Sequence, residues 1–151
     1  MQAEAAGTIW AAVKDNRDNA EELDALGGIR VLISLMRINE EGNSEATEQC
    51  VGVLSVVCHI SSCCIASLLA CGGIPVLIKL ISLGDDGVGE YGTQELATKA
   101  LAGACDESEG CRTAARRVGA RHTVQTVLES PLLESPDAVQ RLQAINAKVQ
   151  P

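Results

Sequence analysis

Aromatic residues are almost absent from this sequence. Among its 151 residues there is no phenylalanine, and Trp10 and Tyr91 are the only tryptophan and tyrosine. Proteins that bind single-stranded nucleic acids usually stack the bases on aromatic side chains, so the composition argues against such a ligand. The core must instead consist of leucine, isoleucine, valine, alanine and cysteine, a set of side chains that suits closely packed helices.

Positive charge is scarce as well. The chain has 20 acidic and 12 basic residues, which gives a formal net charge of -8 at pH 7. This balance opposes binding through phosphate neutralisation, and we predict no nucleic-acid partner. Residues 1–60 hold ten acidic and four basic groups, whereas residues 107–151 hold five acidic and six basic groups. We therefore expect the acid-rich end to favour a basic protein or peptide as partner.

Targeting and membrane-spanning segments are not evident. The N-terminus lacks the basic segment and the apolar segment that make up a secretory signal, and we predict a location in the cytoplasm or the nucleus. Residues 49–78 contain no charged side chain, and a run of that length could cross a bilayer. Because His59, Gly72, Gly73 and Pro75 interrupt the run, we predict that it does not span a membrane.

Motifs that carry catalysis are missing too. There is no G-x-S-x-G sequence, and the glycine-rich stretch 84–92 lacks the Gly-Lys-Ser/Thr ending of a phosphate-binding loop. The acidic residues Asp106, Glu107 and Glu109 lie beside Ser108, where helix capping explains them. We expect no enzymatic activity, no catalytic residue and no cofactor.

The chain repeats itself at a spacing of about 45 residues. The segment ALGGIRVLISLM (residues 25–36) returns as ACGGIPVLIKLI (residues 70–81), and a weaker copy begins near Gly119. Upstream apolar residues keep the same register. Eighteen positions before Gly27, Gly72 and Gly119 stand Ile9, Leu54 and Leu101, and four positions later stand Val13, Cys58 and Cys105. We call these six residues the framework positions, and their spacing of four places them on one face of a helix.

Each unit is predicted to contain three helices. In the first unit, Asp18 and Glu21 form a capping box that opens a short helix, and Gly27 ends this helix in a left-handed conformation. A second helix with an apolar stripe follows it. Ser44, at the end of a polar run, is then the N-cap of a long third helix over residues 45–60.

The later units follow the same order. A loop over residues 84–92 precedes the next long helix, and Ser135 followed by Pro136 begins the last helix. In that helix Ile145 and Val149 can be aligned with the framework positions. Other registers fit the last helix as well.

The cysteines do not form a metal-binding pattern. No C-x-x-C pair occurs among the seven, and we predict no metal site. Disulfides are not expected in a cytosolic protein with an odd number of cysteines. Cys71 shares its repeat position with Leu26 and Val118, which predicts a small buried residue there. Cys63 alone has no structural counterpart, so a thiol-based metal or redox sensor that uses Cys63 remains a minor alternative.

Three helices per unit, with a glycine at the first break and no strand pattern, indicate an all-α solenoid. The segment 70–81, followed by a long helix that contains Ala-Leu-Ala-Gly-Ala at 100–104, resembles the armadillo repeat. The resemblance implies a right-handed α–α superhelix that covers residues 1–151 as one domain. HEAT repeats are the nearest alternative, but they usually lack this glycine break. The predicted parts are the end of one repeat (1–16), two full repeats (17–60 and 61–106) and most of another (107–151).

The resemblance also implies that a partner segment binds along the concave face, which the successive third helices form. In importin α, a tryptophan and an asparagine four residues apart on these helices hold the bound peptide. The matching positions here are Gly7, Gly52, Lys99 and Gln143 for tryptophan, and Ala11, Val56, Gly103 and Ala147 for asparagine. This chain therefore has neither the row of tryptophans nor the row of asparagines. Because the main-chain groups of a bound peptide would be left unpaired, we do not predict binding of nuclear-localisation signals.

A mixed and mostly acidic strip is predicted on this face instead. An alternative left open is that these residues are simply the solvated faces of amphipathic helices. The candidate partner-binding residues are Glu45, Glu48, Gly52, Val56, Gln94, Glu95, Thr98, Lys99 and Gly103.

The sequence therefore predicts a protein-interaction module, a scaffold that binds a partner segment without covalent chemistry. A second hypothesis is a regulatory or self-associating fragment of a larger armadillo protein. It rests on the first helix, which lacks the two helices that would normally cover it, so that a homodimer could form through an exposed terminal repeat.

Overall fold

The structure, a computed structural model, describes residues 2–38, 45–83, 92–131, 133 and 135–151. This part of the chain is helical, with short connections and no strand. The predicted cap Ser44 and residues 84–91 of the predicted loop lie outside the described residues. The helices are α1 (Gln2–Val13), α2 (Arg17–Ala25), α3 (Gly28–Ile38), α4 (Glu45–Ile60), α5 (Ser62–Ala70), α6 (Gly73–Leu83), α7 (Thr93–Glu107), α8 (Glu109–Arg117), α9 (Ala120–Leu128) and α10 (Pro136–Lys148).

The short first helix of each unit begins at a capping side chain. Asn16, Ser61 and Ser108 stand at equivalent positions, and the side-chain oxygen of each accepts a hydrogen bond from the backbone N–H three residues later. The predicted capping box was therefore misplaced. Asp18 lies in the first turn of α2, after the cap, because Asn16 has the extended backbone that a cap requires and Asp18 is already helical.

We expect Ser61→Ala to lower the free energy of unfolding by about 1 kcal/mol, because the N–H of Cys64 loses its acceptor at the start of α5. The neighbouring Ser62→Ala is the matched control. Ser62 is exposed and lies inside the helix, so its change stays within about 0.5 kcal/mol. Urea unfolding of both variants measures the difference. Equal effects would show that Ser61 is not the cap.

The glycine at the end of each first helix is left-handed, as predicted. The φ angles of Gly27, Gly72 and Gly119 are +78°, +71° and +76°. The preceding residue is the helix C-cap and lies at the surface, since the chain turns away from the core there. Leu26 is 78% exposed and Cys71 is partly exposed, so the prediction that Cys71 is buried was wrong.

The framework positions form the core of the array. Five of the six framework residues are buried, and Ile9, at the end of the array, is partly buried against the same core. Ile145 on α10 and Val149 at its C-cap are also buried, which agrees with the register that aligns them with the framework positions. α7 continues through Glu107, one residue beyond the predicted repeat boundary.

Arginine side chains hold the ends of helices together. Arg112 donates from Nη1 to the carbonyl of Cys105 (2.5 Å), near the end of α7. Arg116 donates to the carbonyls of Lys148 and Gln150 at the end of α10. Glu109 accepts from both arginines, and this lowers the pKa of its carboxyl group. α8 is therefore fixed by polar contacts to the ends of α7 and α10.

The described helices were compared with the length and hydropathy that a membrane span requires. In the described ranges no individual helix combines the length and the hydropathy needed to cross a bilayer, and only α5 and α6 taken together would do so. These two helices meet at an angle of 86°.

Candidate functional site

The third helices of the units form a continuous layer. α1 packs against α4, α4 against α7, and α7 against α10, while the second helices α3, α6 and α9 cover one side of this layer. We call the other side the third-helix face. It is the surface on which the sequence predicts that a partner binds.

A groove with a volume of about 530 Å³ lies on this face between α1, α4 and α7. This volume is sufficient for a small ligand or for one or two side chains of a bound segment. We call it the Trp10 groove. Its lining consists of Gly7, Trp10, Ala11, Lys14, Gln49, Ser55, Val56, Leu96 and Lys99.

Trp10 is placed by a glycine on the neighbouring helix. A Cβ atom built on Gly52 would lie 2.5 Å from Cε3 of Trp10, so the indole rests directly on the backbone of α4. Gly52 is buried beneath it. Gly52, one of the predicted partner-binding residues, therefore packs beneath the indole of Trp10 and offers no surface of its own to a partner.

Several residues of the groove were not among the predicted site residues. Trp10 and Ala11 stand three and four residues after Gly7 on α1, and Lys14 stands seven residues after Gly7, directly beyond the last residue of this helix. That spacing defines one face of a helix. The signal was present in the sequence, because Gly7 and Ala11 had been placed on this face by the resemblance. Of the predicted residues, Val56 and Lys99 do line the groove.

The predicted acidic strip is not present on this face. Glu48 is 1% exposed and is enclosed between helices. Glu95 accepts a hydrogen bond from Ser135 and lies 3.9 Å from the guanidinium of Arg141. Glu45 is exposed but does not line the groove. The charged side chains of the groove lining are Lys14 and Lys99, so the groove is basic within an acidic protein.

Gln94 and Thr98 are held within the protein. Thr98 is buried and donates from Oγ1 to the carbonyl of Gln94 at 2.8 Å. Gln94 donates from Nε2 to the carbonyl of Ile81 at 2.7 Å, which joins the start of α7 to α6. Gln94 thus stabilises the contact between α6 and α7, whereas the hydrogen bond of Thr98 stays within α7. The prediction that these two side chains face a partner is not supported by their positions.

Gly103 is covered by His59. A Cβ atom on Gly103 would lie 2.9 Å from the carbonyl oxygen of Cys58 and 3.0 Å from Nε2 of His59. The imidazole donates from Nε2 to the carbonyl of Lys99 at 3.0 Å, because a carbonyl oxygen can only accept. Gly103 therefore permits close approach of α4 and α7, as Gly52 does for Trp10, and it has no free surface.

A second groove, of about 300 Å³, lies between α7 and α10. Its charged groups are already paired, since Lys148 forms an ion pair with Asp106 and Arg141 faces Glu95. Among the residues that the structure describes, Lys14 and Lys99 of the Trp10 groove form no ion pair, so their charges remain available to a partner. The second groove is lined by His59, Ala102, Asp106, Gln140, Arg141, Ala144, Ile145 and Lys148.

The cysteines are divided between core and surface. Cys50, Cys58 and Cys105 are buried, and burial raises the pKa of Cys50 to about 11 and that of Cys105 to about 12. Cys63 is exposed. Within the described ranges, no three or more histidine, cysteine or acidic side chains are grouped so that they could hold a metal ion. The buried thiols are protonated at neutral pH, and they are poor nucleophiles in this state.

Comparison with solved structures identifies the fold of this chain. No protein-family model and no curated protein sequence matches the chain. Solved structures do match. A designed armadillo repeat protein superposes with a TM-score of 0.72 at 18% identity, over 89% of this chain and 52% of its own. The chain has the fold of an armadillo repeat array.

Two engineered proteins from the Northeast Structural Genomics Consortium have the same arrangement. One matches with a TM-score of 0.81 at 20% identity, over 98% of this chain and 56% of its own. The other matches with a TM-score of 0.78 at 19% identity, over 97% of this chain and 33% of its own. The armadillo array described here thus spans between a third and somewhat more than half of the length of these structures. At such identities the likeness concerns the fold, and the site must be argued from its residues.

Proposed function

We propose that this protein is a non-enzymatic scaffold that binds an extended segment of a partner protein in the Trp10 groove. The observation that carries the proposal is the groove itself, whose lining combines a partly exposed indole and apolar side chains with two lysines. Armadillo arrays are repeat scaffolds, and their layers of third helices offer an extended surface for binding.

The lining favours an acidic and apolar segment over a basic one. Trp10, Val56 and Leu96 provide an apolar floor for one large side chain of the partner. Lys14 and Lys99 would attract carboxylates of the same segment. The negative net charge had favoured a basic partner, but it is not concentrated in this groove, where the charged side chains are lysines.

The proposal can be tested by selecting random linear peptides from a display library on the immobilised full chain. We expect the selected peptides to combine a large apolar residue with aspartate or glutamate. Because Trp10 is the only tryptophan, its fluorescence reports occupation of the groove by each synthesised peptide. We expect K14E/K99E to weaken binding about tenfold, since each exposed ion pair contributes up to about 1 kcal/mol.

The matched control is K79E/R121E, which changes the net charge equally. Lys79 and Arg121 are exposed on α6 and α9, outside the groove, and we expect this variant to bind the peptides as the unaltered chain does. Selection of basic peptides, or equal losses in the two double variants, would contradict the proposal that the lysines of this groove choose the partner.

A further inference from the structure

Glu95 and Lys99 lie one helical turn apart on α7, yet they take part in different contacts. Residues four apart on a helix are neighbours, and a glutamate four positions before a lysine is the favourable order for an ion pair. Within the described residues, however, no ion pair joins these two side chains. Lys99 lines the Trp10 groove, and Glu95 does not. Contacts with another helix therefore decide where the Glu95 carboxylate lies.

Two side chains of the last unit hold this carboxylate. Ser135, the N-cap of α10, donates from Oγ to Oε1 of Glu95 at 3.4 Å. Nη1 of Arg141 lies 3.9 Å from the same oxygen. Both groups act on one carboxylate oxygen, and Arg141 adds a charge of opposite sign. The Glu95 carboxylate is therefore directed toward α10, and α10 contributes to the second groove and not to the Trp10 groove.

An arginine occurs at this position only in the last unit. In the register that the structure gives for α10, Arg141 corresponds to Ala97 on α7 and to Cys50 on α4, and both of these residues are buried. Glu95 corresponds to Glu48 on α4, which is 1% exposed, whereas the side chain of Glu95 is 42% exposed. Glu95 is therefore the glutamate of the pair that has room to turn, and Arg141 is the charge that restrains it.

The backbone of α7 around Lys99 is fixed by other contacts. Nε2 of His59 donates to the carbonyl of Lys99 at 3.0 Å, which joins α4 to α7. Nε2 of Gln94 donates to the carbonyl of Ile81, which joins the start of α7 to α6. Loss of the contact with α10 would therefore release the Glu95 side chain without moving the backbone of Lys99.

We propose that Arg141 and Ser135 are positioning residues for the Trp10 groove. They hold Glu95 away from Lys99, so that the ammonium group of Lys99 remains available to a carboxylate of the partner. Without them, Glu95 turns toward Lys99 and forms the ion pair that helical spacing favours. The role in partner binding rests on the function proposed above, whereas the positions of the side chains can be measured without a partner.

Nuclear Overhauser spectroscopy of the full chain measures these positions. In the unaltered chain we expect contacts from the side chain of Glu95 to that of Ser135 and none to the methylene beside Nζ of Lys99. In R141Q, which removes the charge and keeps a polar side chain, we expect contacts between Glu95 and Lys99 to appear. In R141K the charge remains, and we expect the pattern of the unaltered chain.

Ser135 can be tested without loss of the helix cap. Aspartate and asparagine both cap helices well, so S135D and S135N differ chiefly in charge. We expect the carboxylate of S135D to repel Glu95 and to attract Arg141, which sends Glu95 toward Lys99. The amide of S135N can still donate to Glu95, so this variant should behave as the unaltered chain does.

Tryptophan fluorescence measures the effect on binding of an acidic peptide obtained by the selection described above. We expect R141Q and S135D each to weaken binding about twofold, the ratio that an ion pair at this spacing accounts for. In the E95Q background, R141Q should have no effect, because no carboxylate then reaches Lys99. R121Q is the matched control, since it removes the same charge from an exposed position on α9 and should leave binding unchanged.

A neutral peptide, with asparagine and glutamine in place of aspartate and glutamate, separates positioning from structural damage. It should bind R141Q as it binds the unaltered chain. An equal loss for the acidic and the neutral peptide, or a loss that persists in the E95Q background, would overturn the proposal. So would contacts between Glu95 and Lys99 in the unaltered chain, or their absence in R141Q. If the selection yields no acidic peptides, the proposed function fails, and the Overhauser contacts still decide whether Arg141 positions Glu95.

Discussion

Raising the pH from 9 to 12 is expected to unfold this protein, because its buried cysteines resist ionisation. Burial raises the pKa of Cys50 to about 11 and of Cys105 to about 12, and it raises that of Cys58 further. In the unfolded chain these thiols ionise at ordinary pKa values near 9. Below pH 9 the thiols are neutral in both states and have no effect. Above it the unfolded state releases protons that the folded state retains, so stability falls until the folded pKa is reached.

The expected loss is large compared with the stability of a typical domain. Each unit of pKa difference corresponds to about 1.4 kcal/mol. For Cys105, a rise from 9.0 to about 12 predicts a loss of about 4 kcal/mol by pH 12, and Cys50 and Cys58 add to it. Small proteins are stable by about 5–15 kcal/mol in total. Urea unfolding between pH 7 and pH 11 should show a plateau to about pH 9 and then a steep decline.

The repeat provides a control for this experiment. Val13 occupies the same framework position as Cys58 and Cys105, so C58V/C105V replaces two thiols by the side chain that already stands at this position on α1. We expect its stability at pH 7 to change by less than about 1.5 kcal/mol and its decline above pH 9 to be shallower. Lysine and tyrosine titrate equally in both proteins. Identical profiles would show that the thiols are not responsible.

Replacing Gly103 by valine is expected to lower the free energy of unfolding by about 3 kcal/mol, the upper part of the range for overpacked cores. Its new Cβ would lie 2.9 Å from the carbonyl oxygen of Cys58, which belongs to the backbone of α4. A backbone atom cannot move aside without separating α4 from α7. The hydrogen bond from His59 to Lys99 spans the same contact and would be broken. Chemical unfolding monitored by circular dichroism measures the loss.

Gly7→Ala is the matched control for this prediction. Gly7 also lies on a third helix, and its Cβ would meet only the end of the flexible side chain of Gln49, with Oε1 at 3.0 Å and Cδ at 3.6 Å. We expect Gly7→Ala to stabilise the protein by up to about 1 kcal/mol, because alanine favours a helix more than glycine does. A destabilised Gly7→Ala, or a Gly103→Val that retains full stability, would contradict the different roles assigned to the two glycines.

The failure of the predicted acidic strip has a simple physical cause. α4 packs against helices of its own unit and against α1 and α7, so ten of its sixteen residues are buried. An amphipathic surface helix leaves a wide polar arc in water, but this helix leaves only a narrow one. Glu48 lies one turn from Glu45 on the same helix, and yet the two differ completely in exposure. The periodicity of the sequence does not predict which turn of α4 is buried between the neighbouring helices.

The packing of Trp10 against α4 could not be predicted from the sequence either. The sequence places it one residue after the framework position Ile9, and helical spacing puts it beside Lys14. Whether the indole lies over a neighbour depends on how closely α1 and α4 approach. Gly52 allows that approach, and this role of Gly52 is evident only once the positions of both helices are known.

The sequence was sufficient to predict the helical units, their order, the left-handed glycines at 27, 72 and 119, and the framework residues of the core, because a repeated pattern of apolar spacing and helix ends depends on local geometry. The packing of the helices determined which charged groups remain in contact with water and made the groove beside Trp10 basic. Those properties depend on the distances between helices that are far apart in the sequence, and the composition of any one helix does not contain them.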